Sequence, residues 1–221
     1  MNRWMWRRLN SLGYGVQSPN DFYFVQHVLR EEASYYAYTA LEELSQHHGD
    51  EVPCYPLAVN KLLFRLANYV HPSLIVEVGA GASLVAMAMA CPTAQCVGII
   101  ADHVRGGALQ QLLATYPHVE VKNGDEKAAF GELLHAMGPI GILHIAHTVH
   151  YEEIMEAALP HMADRTLVIV EDIASSKEKQ GWWEGLREKQ ETGTCYDLGS
   201  VGLLFLDHAR HKENYWINLR R

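Results

Sequence analysis

The sequence has only four cysteines, Cys54, Cys91, Cys96 and Cys195, and none of them stands in a C-x-x-C spacing. Neither a zinc ribbon nor a dithiol redox pair is therefore expected. No apolar run approaches the roughly twenty residues of a membrane span. The start also lacks the apolar core of a signal peptide. A cytoplasmic protein with reduced thiols and no membrane partner is the expectation. Basic residues are in deficit, with 18 Lys+Arg against 26 Asp+Glu and a net charge of −8. Sequence-independent nucleic-acid binding needs a basic footprint, so no nucleic-acid partner is expected. The basic start, Arg3, Arg7 and Arg8 among Trp4 and Trp6, is a local exception. It reads as an amphipathic helix packed on its own domain, with arginine stems lying along it. No low-complexity linker interrupts the chain. Its 221 residues, 48% of them hydrophobic, suffice for one sizeable core.

What is present centres on Leu74-Ile-Val-Glu77-Val-Gly79-Ala-Gly81-Ala-Ser83. Leu74 to Val78 is a continuous apolar run of the kind a parallel sheet covered on both faces requires. Gly79 and Gly81 then allow positive φ and close backbone approach. Ser83-Leu-Val-Ala-Met-Ala-Met-Ala90 continues as a helix. Free N–H groups and the positive end of a dipole sit at its start. Strand, glycine turn and helix together make a nucleotide-site candidate. The dinucleotide fingerprint G-x-G-x-x-G fails, because its sixth position is Leu84.

The first seventy residues read as helices and loops. Phe22, Val25, Val28 and Leu29 have helical spacing within 21–30, with Asn20 or Asp21 as cap. A second amphipathic stretch runs from Asn60 to Tyr69. From Ser73 the pattern alternates. Strands are predicted at Leu74–Val78, Gln95–Ile100, Val119–Lys122, Gly141–Ile145 and Thr166–Val170. Helices are predicted at Ser83–Ala90, Arg105–Thr115, Glu126–Met137 and Tyr151–Met162. This alternation implies a doubly wound parallel sheet with right-handed crossovers. A helix over Ser176–Gln190 follows. Thr194–Leu198 and Val201–Leu206 then flank Gly199-Ser200, a hairpin turn signal. Tyr215–Leu219 is one further edge-strand candidate. The reading is a Rossmann-like α/β fold. Its sheet is mostly parallel and seven-stranded, ends in an antiparallel hairpin, and carries an N-terminal helical cap. Residues 1–70 form the cap and 71–221 the sheet domain, as one compact unit.

Five βα units closed by a hairpin, with Glu77-x-Gly79-x-Gly81-x-Ser83 after the first strand, resemble class I S-adenosylmethionine-dependent methyltransferases. The second half is most similar to their small-molecule O-methyltransferase branch. That similarity rests on Gly141-Ile-Leu-His144-Ile-Ala-His147-Thr-Val-His150-Tyr-Glu152, on Val168-Ile-Val-Glu171-Asp172-Ile173, on Trp182 or Trp183, and on Gly199-Ser-Val-Gly-Leu-Leu-Phe205. Gly13-Tyr-Gly-Val-Gln-Ser-Pro19, with Tyr35, Tyr36 and Tyr38 beyond it, resembles a Gly-Val-His-Ser-Pro segment of methyltransferase-like proteins of bacteria.

The resemblance implies S-adenosylmethionine as cofactor and a small-molecule acceptor, a hydroxyl among the candidates, with a homodimer left open. It implies that Glu77, Gly79, Gly81 and Ser83 lie against the methionine part of the cofactor. Asp102 would serve the ribose and Asp125 the adenine, each with a helix N-cap as the competing role. His147 or His150 is a candidate general base, and Asp172 is a candidate catalytic carboxylate. Three departures bear on this. Ile100 stands where an acidic residue should end the second strand. Ala146 replaces an aspartate that ligates Mg²⁺ in metal-dependent members. Val149 stands where a histidine is usual. No resident metal is therefore assigned. His144, His147 and His150 with Glu171 or Asp172 remain a transition-metal alternative, although His144 and His147 should point to opposite faces of a strand. Two readings follow: a methyltransferase, or a methyltransferase fold that has lost catalysis and binds a partner.

Overall fold

In the computed structural model, residues 3–47, 52–189, 192–206 and 211–219 are described. Four helices come first: α1 (Arg3–Ser11), α2 (Pro19–Phe24, continued by a π-helical turn over Val25–Leu29), α3 (Ala37–His47) and α4 (Leu57–Val70). Then come β1 (Leu74–Val78), α5 (Ser83–Ala90), β2 (Gln95–Ile100), α6 (His103–Leu112), β3 (Val119–Asn123), α7 (Glu126–Ala136), β4 (Ile140–Ile145) and α8 (Tyr151–Ala158). The chain closes with β5 (Met162–Val170), α9 (Lys177–Glu188), β6 (Cys195–Asp197), β7 (Gly202–Leu206) and β8 (Asn214–Trp216).

These strands make a sheet of order β3-β2-β1-β4-β5-β7-β6-β8. β1 to β5 are parallel, and β7 runs antiparallel to both β5 and β6. The doubly wound α/β sheet and its closing hairpin are as the sequence predicts. The eighth strand comes from the edge candidate near Tyr215, and it lies parallel to β6. The α2 cap is not Asn20 or Asp21. Ser18 accepts from the Asp21 N–H, and Pro19 occupies the first helical position, where its missing N–H costs nothing. α4 ends where His71 adopts φ +48 and donates to the Ala67 carbonyl, just before Pro72.

Strand periodicity divides the core into two layers. Leu74, Val76 and Val78 of β1 pack with Phe130, Ile154, Met155 and Trp183. Ile75 faces the other way, toward Leu62, Leu66, Leu84 and Met87. α5 is buried along most of its length between α4 and the sheet, which explains its apolar, nearly unfaceted sequence. Among the described residues no helix is long and apolar enough to cross a membrane.

α1 packs against β8, as its amphipathic pattern predicts. Arg7 donates to the carbonyls of Asp197 (3.1 Å) and Ile217 (3.2 Å) and pairs with the Asp197 carboxylate at 2.5 Å. Asn10 accepts from the Trp216 N–H and Ser11 from the Asn218 N–H. Beneath this contact, buried Asp21 accepts hydrogen bonds from the phenols of Tyr196 (2.9 Å) and Tyr215 (3.4 Å). Asp21→Ala leaves two phenols without that acceptor. About 2–3 kcal/mol of lost stability is expected, read as a lower urea midpoint with unchanged slope.

Candidate functional site

The parallel register sets Glu77 of β1 beside Gly98 of β2 and beside His144 of β4. Glu77 shares the parity of Ile75, His144 that of Ile142, and Glu171 that of Ile169, so all three polar side chains project to the same face. They form one buried row. Glu77 Oε1 accepts the Gly81 N–H at 2.7 Å and the Ser83 hydroxyl at 2.9 Å. Its Oε2 meets His144 Nδ1 at 2.8 Å, and His144 Nε2 meets Glu171 Oε1 at 3.2 Å. Burial pulls the His144 pKa down, but the two flanking carboxylates outweigh it and raise it to about 9. The two glutamates thus favour the protonated imidazole at this position. Burial pushes the Glu171 pKa up, and His144 offsets part of that.

The glycine turn is closed by the chain's own backbone. Gly79 has φ +74, and a Cβ there would lie 2.4 Å from the carbonyl carbon of His147. A Cβ on Gly81 would lie 2.4 Å from the carbonyl oxygen of Pro53, which also accepts the Ala82 N–H at 2.8 Å. The Gly79 and Ala80 N–H groups go to the Ile99 carbonyl. Pro53 belongs to a strap, residues 52–56, that leads into α4. Two residues on, Tyr55 is 6% exposed and stacks on the His147 ring, with centroids 4.3 Å apart and planes 10° apart. Burial raises the Tyr55 pKa strongly, and the nearby carboxylates of Glu171, Asp172 and Glu77 add to that. Burial lowers the His147 pKa, and the charge of His144 reinforces it against Glu77 and Asp172. His147 keeps an exposed edge beside this stacked face.

The structure brings Glu77, Gly79, Gly81 and Ser83 together with His147, and Asp172 lies close enough to His147 to act on its charge. Asp172 is exposed and holds a left-handed backbone, φ +54, rare for a residue with a side chain. His150 is not part of this group. It stands at the N-cap position before α8 and faces Glu153 at 3.8 Å. Asp102 and Asp125 both act as N-caps, Asp102 accepting from Val104 and Arg105 and Asp125 from Ala128. Both are exposed at the ends of adjacent strands, and Asp102 pairs with Arg105 at 3.6 Å. Ile100 is buried, Ala146 is buried with its N–H on the Val78 carbonyl, and Val149 is 80% exposed. Among the described residues no three His, Cys, Asp or Glu side chains converge as a metal-ligand set.

Sequence reasoning missed three partners. Tyr55 comes from the helical region, and no local pattern marks it. Glu126, buried at the start of α7, accepts from the Thr148 hydroxyl and ties that helix to the β4–α8 loop. Lys179, buried on α9, lies 5.0 Å from the Tyr151 ring centroid. Burial lowers its pKa, against the pull of Asp172 and Glu171.

The strand order, the five parallel βα units and the antiparallel β7 define the class I methyltransferase fold. Solved structures agree. An O-methyltransferase from Bacillus cereus in complex with SAH superposes with a TM-score of 0.66 at 16% identity, over 82% of this chain and 96% of that one. TomG, an O-methyltransferase of tomaymycin synthesis from Streptomyces achromogenes in complex with SAM, gives 0.64 at 16% identity, over 94% and 99%. A methyltransferase from Geobacter sulfurreducens gives 0.61 at 17%, over 79% and 90%. No family model matches the sequence, and no curated protein does. At these identities the likeness is one of fold.

Exposed carboxylates have the chemistry to accept from the hydroxyl and amino donors of an adenosyl group. Asp102 and Asp125 offer exposed carboxylates at neighbouring strand ends, where open α/β sheets take ligands. At the glycine turn the two missing Cβ atoms shape a cradle for closely approaching backbone. Pro53 and the His147 peptide occupy that cradle here.

Proposed function

We propose that this chain is an S-adenosylmethionine-dependent methyltransferase acting on a small-molecule acceptor. The observation that carries the reading is the buried Glu77 carboxylate. From the centre of a methyltransferase-type sheet it holds the glycine turn through Gly81 and Ser83. Neighbours of the same fold have been crystallised with SAM and SAH.

Bound here, the cofactor would supply an electrophilic methyl carbon on a sulfonium. The chain's own contribution is mainly to position the two reactants. Asp102 and Asp125 would hold the ribose and adenine, a carboxylate suiting two adjacent hydroxyl donors. The Pro53 strap would shift to admit the methionine end. His147, kept neutral by burial and partly exposed, would accept the acceptor's proton. Asp172, on the exposed end of β5, would face the acceptor. The same reading keeps the protein in the cytoplasm, which the free thiols of Cys54, Cys91, Cys96 and Cys195 support.

Calorimetric titration with SAH should give one site. Asp102→Asn should weaken it about tenfold, the scale of one charge-assisted hydrogen bond. No heat at millimolar SAH would overturn the reading. Binding without transfer to any acceptor would favour a methyltransferase-fold binding protein instead.

A further inference from the structure

α1 meets the edge of the sheet through polar side chains. Arg7 donates to the Asp197 and Ile217 carbonyls, and Asn10 and Ser11 accept from the Trp216 and Asn218 N–H groups. These three residues share one helix face by their spacing. Met5 and Arg8, three apart, share another face, and both are exposed. Leu12 follows one residue beyond the helix end and is exposed as well.

The apolar surface continues past the helix. Gly13 (φ +85) and Gly15 (φ +80) turn the chain and leave Tyr14 projecting between them. The Phe22 ring of α2 lies over Gly13, where an added Cβ would come within 2.4 Å of it. The Trp6 ring lies 3.6 Å from the corresponding point on Gly15. Exposure across Met5, Trp6, Leu12, Tyr14, Phe22 and Tyr23 runs from 37% for Trp6 to 65% for Tyr14. Single apolar side chains on a surface are ordinary, but six joined around one turn mark an interaction site.

Charge selects the occupant. The chain carries a net charge of −8, yet Arg3, Arg7 and Arg8 precede its first acidic residue, Asp21, which is buried. Two copies meeting through this patch would set Arg8 against Arg8 with no acid of the patch between them, and like charges across an interface are costly. A contact from the patch to an acidic face elsewhere on a second copy would run head to tail and not close into a dimer. An anionic bilayer suits every part. Its headgroups attract arginine, and its acyl boundary takes Met5, Leu12 and Phe22. Trp6, Tyr14 and Tyr23 have rings with one apolar and one polar end, which suit the level between the two.

We propose that α1, the turn after it and the start of α2 form a docking surface for an anionic phospholipid bilayer. The expectation of no membrane partner rested on the lack of a spanning segment, and a surface contact needs none. The helix stays bonded to the sheet edge through its polar face while its Met5 side meets the lipid. The proposal goes beyond the methyltransferase reading and does not depend on it.

The test sediments the full-length protein with unilamellar vesicles of phosphatidylglycerol and phosphatidylcholine in equal parts, and with phosphatidylcholine alone. Binding to the mixed vesicles should be about fivefold stronger or more, with the difference shrinking in high salt. Leu12→Glu should remove most of the binding. Arg8→Glu should weaken it about tenfold, the scale of reversing one charge at an anionic surface. Both variants should keep the wild-type melting temperature, because both side chains are exposed. Should Leu12→Glu unfold the chain, Arg8→Glu still decides the question. Leu159→Glu, at an exposed leucine after α8, should bind vesicles as the wild type does. No sedimentation with the mixed vesicles would overturn the proposal. So would equal binding to both vesicle types, or wild-type binding by folded Leu12→Glu and Arg8→Glu. A concentration-dependent dimer that Leu12→Glu abolishes would assign the patch to a second copy and overturn it too.

Discussion

Replacing His144 with leucine should destabilise the protein by about 3–5 kcal/mol, the usual range when one partner of a buried charge pair is removed. The side chain is fully buried and bonds two carboxylates that have almost no access to water. Leucine would fill much of the volume but leave Glu77 and Glu171 facing each other across an apolar gap. Glu77 would keep its bonds from Gly81 and Ser83, whereas Glu171 would lose the one charge that offsets its burial. At roughly 2–4 °C per kcal/mol for a domain of this size, a melting temperature lower by about 6–20 °C is expected.

The pH dependence provides a second signature. The folded pKa of His144 is raised to about 9, above the ordinary unfolded value of about 6.5. The folded state therefore binds this proton more tightly. The stability it contributes is fully present below pH ~6.5 and is lost as pH rises through 9. Wild-type stability should fall between pH 6.5 and 9 in denaturant titrations, and the His144→Leu slope should be shallower over the same window. Equal slopes would show that the proton resides elsewhere in the row.

Gly79→Val should have an effect of comparable size for a different reason. Gly79 holds φ +74, a conformation that β-branched side chains strongly resist. Its new Cβ would also be driven to 2.4 Å from the His147 carbonyl carbon and 2.6 Å from its nitrogen, both backbone atoms with no rotamer to yield. More than about 3 kcal/mol of destabilisation is expected, seen as a large drop in melting temperature or in soluble yield. Unchanged stability would mean that the β4–α8 loop does not rest on the turn. The sequence alone suggests Gly79→Val as a probe of cofactor approach. Once His147 is seen against the glycine, the substitution reports on folding first. Gly81→Ala lacks the φ penalty, since Gly81 has no positive φ, but its Cβ would lie 2.4 Å from the Pro53 carbonyl oxygen, so it strains the strap instead.

These two positions show how much could be read from sequence. Strands β1, β2, β4 and β5 were legible because each contains an apolar run between turn signals, β3 because apolar and polar residues alternate in Val119-Glu-Val-Lys122, and the hairpin because Gly199-Ser200 separates two apolar runs. Gly199, with φ +100, does turn the chain there. The eighth strand was legible only as an edge candidate over Tyr215–Leu219, and it forms over the three residues Asn214–Trp216. The row Glu77–His144–Glu171 was within reach. Each residue lies two positions beyond an inward-facing isoleucine, and parallel register sets their strands side by side. His144 drew attention as a metal-ligand candidate, and in the structure both of its ring nitrogens meet glutamates. Tyr55 and Pro53 could not be placed. Their positions follow from how α4 packs on α5, a contact between elements that carries no signature in a five-residue strap. Asp102 and Asp125 were legible as caps, because an aspartate before a helix start acts locally.

The α1–β8 contact joins residues about two hundred positions apart, as in the Asn10 bond to Trp216 and the Ser11 bond to Asn218. At roughly 5–20 residues per second of synthesis, α1 leaves the ribosome about 10–40 s before its strand exists. Through that interval Trp6, Arg7 and Asn10 have no sheet edge to rest on. α1 is thus synthesised well before the strand on which it docks.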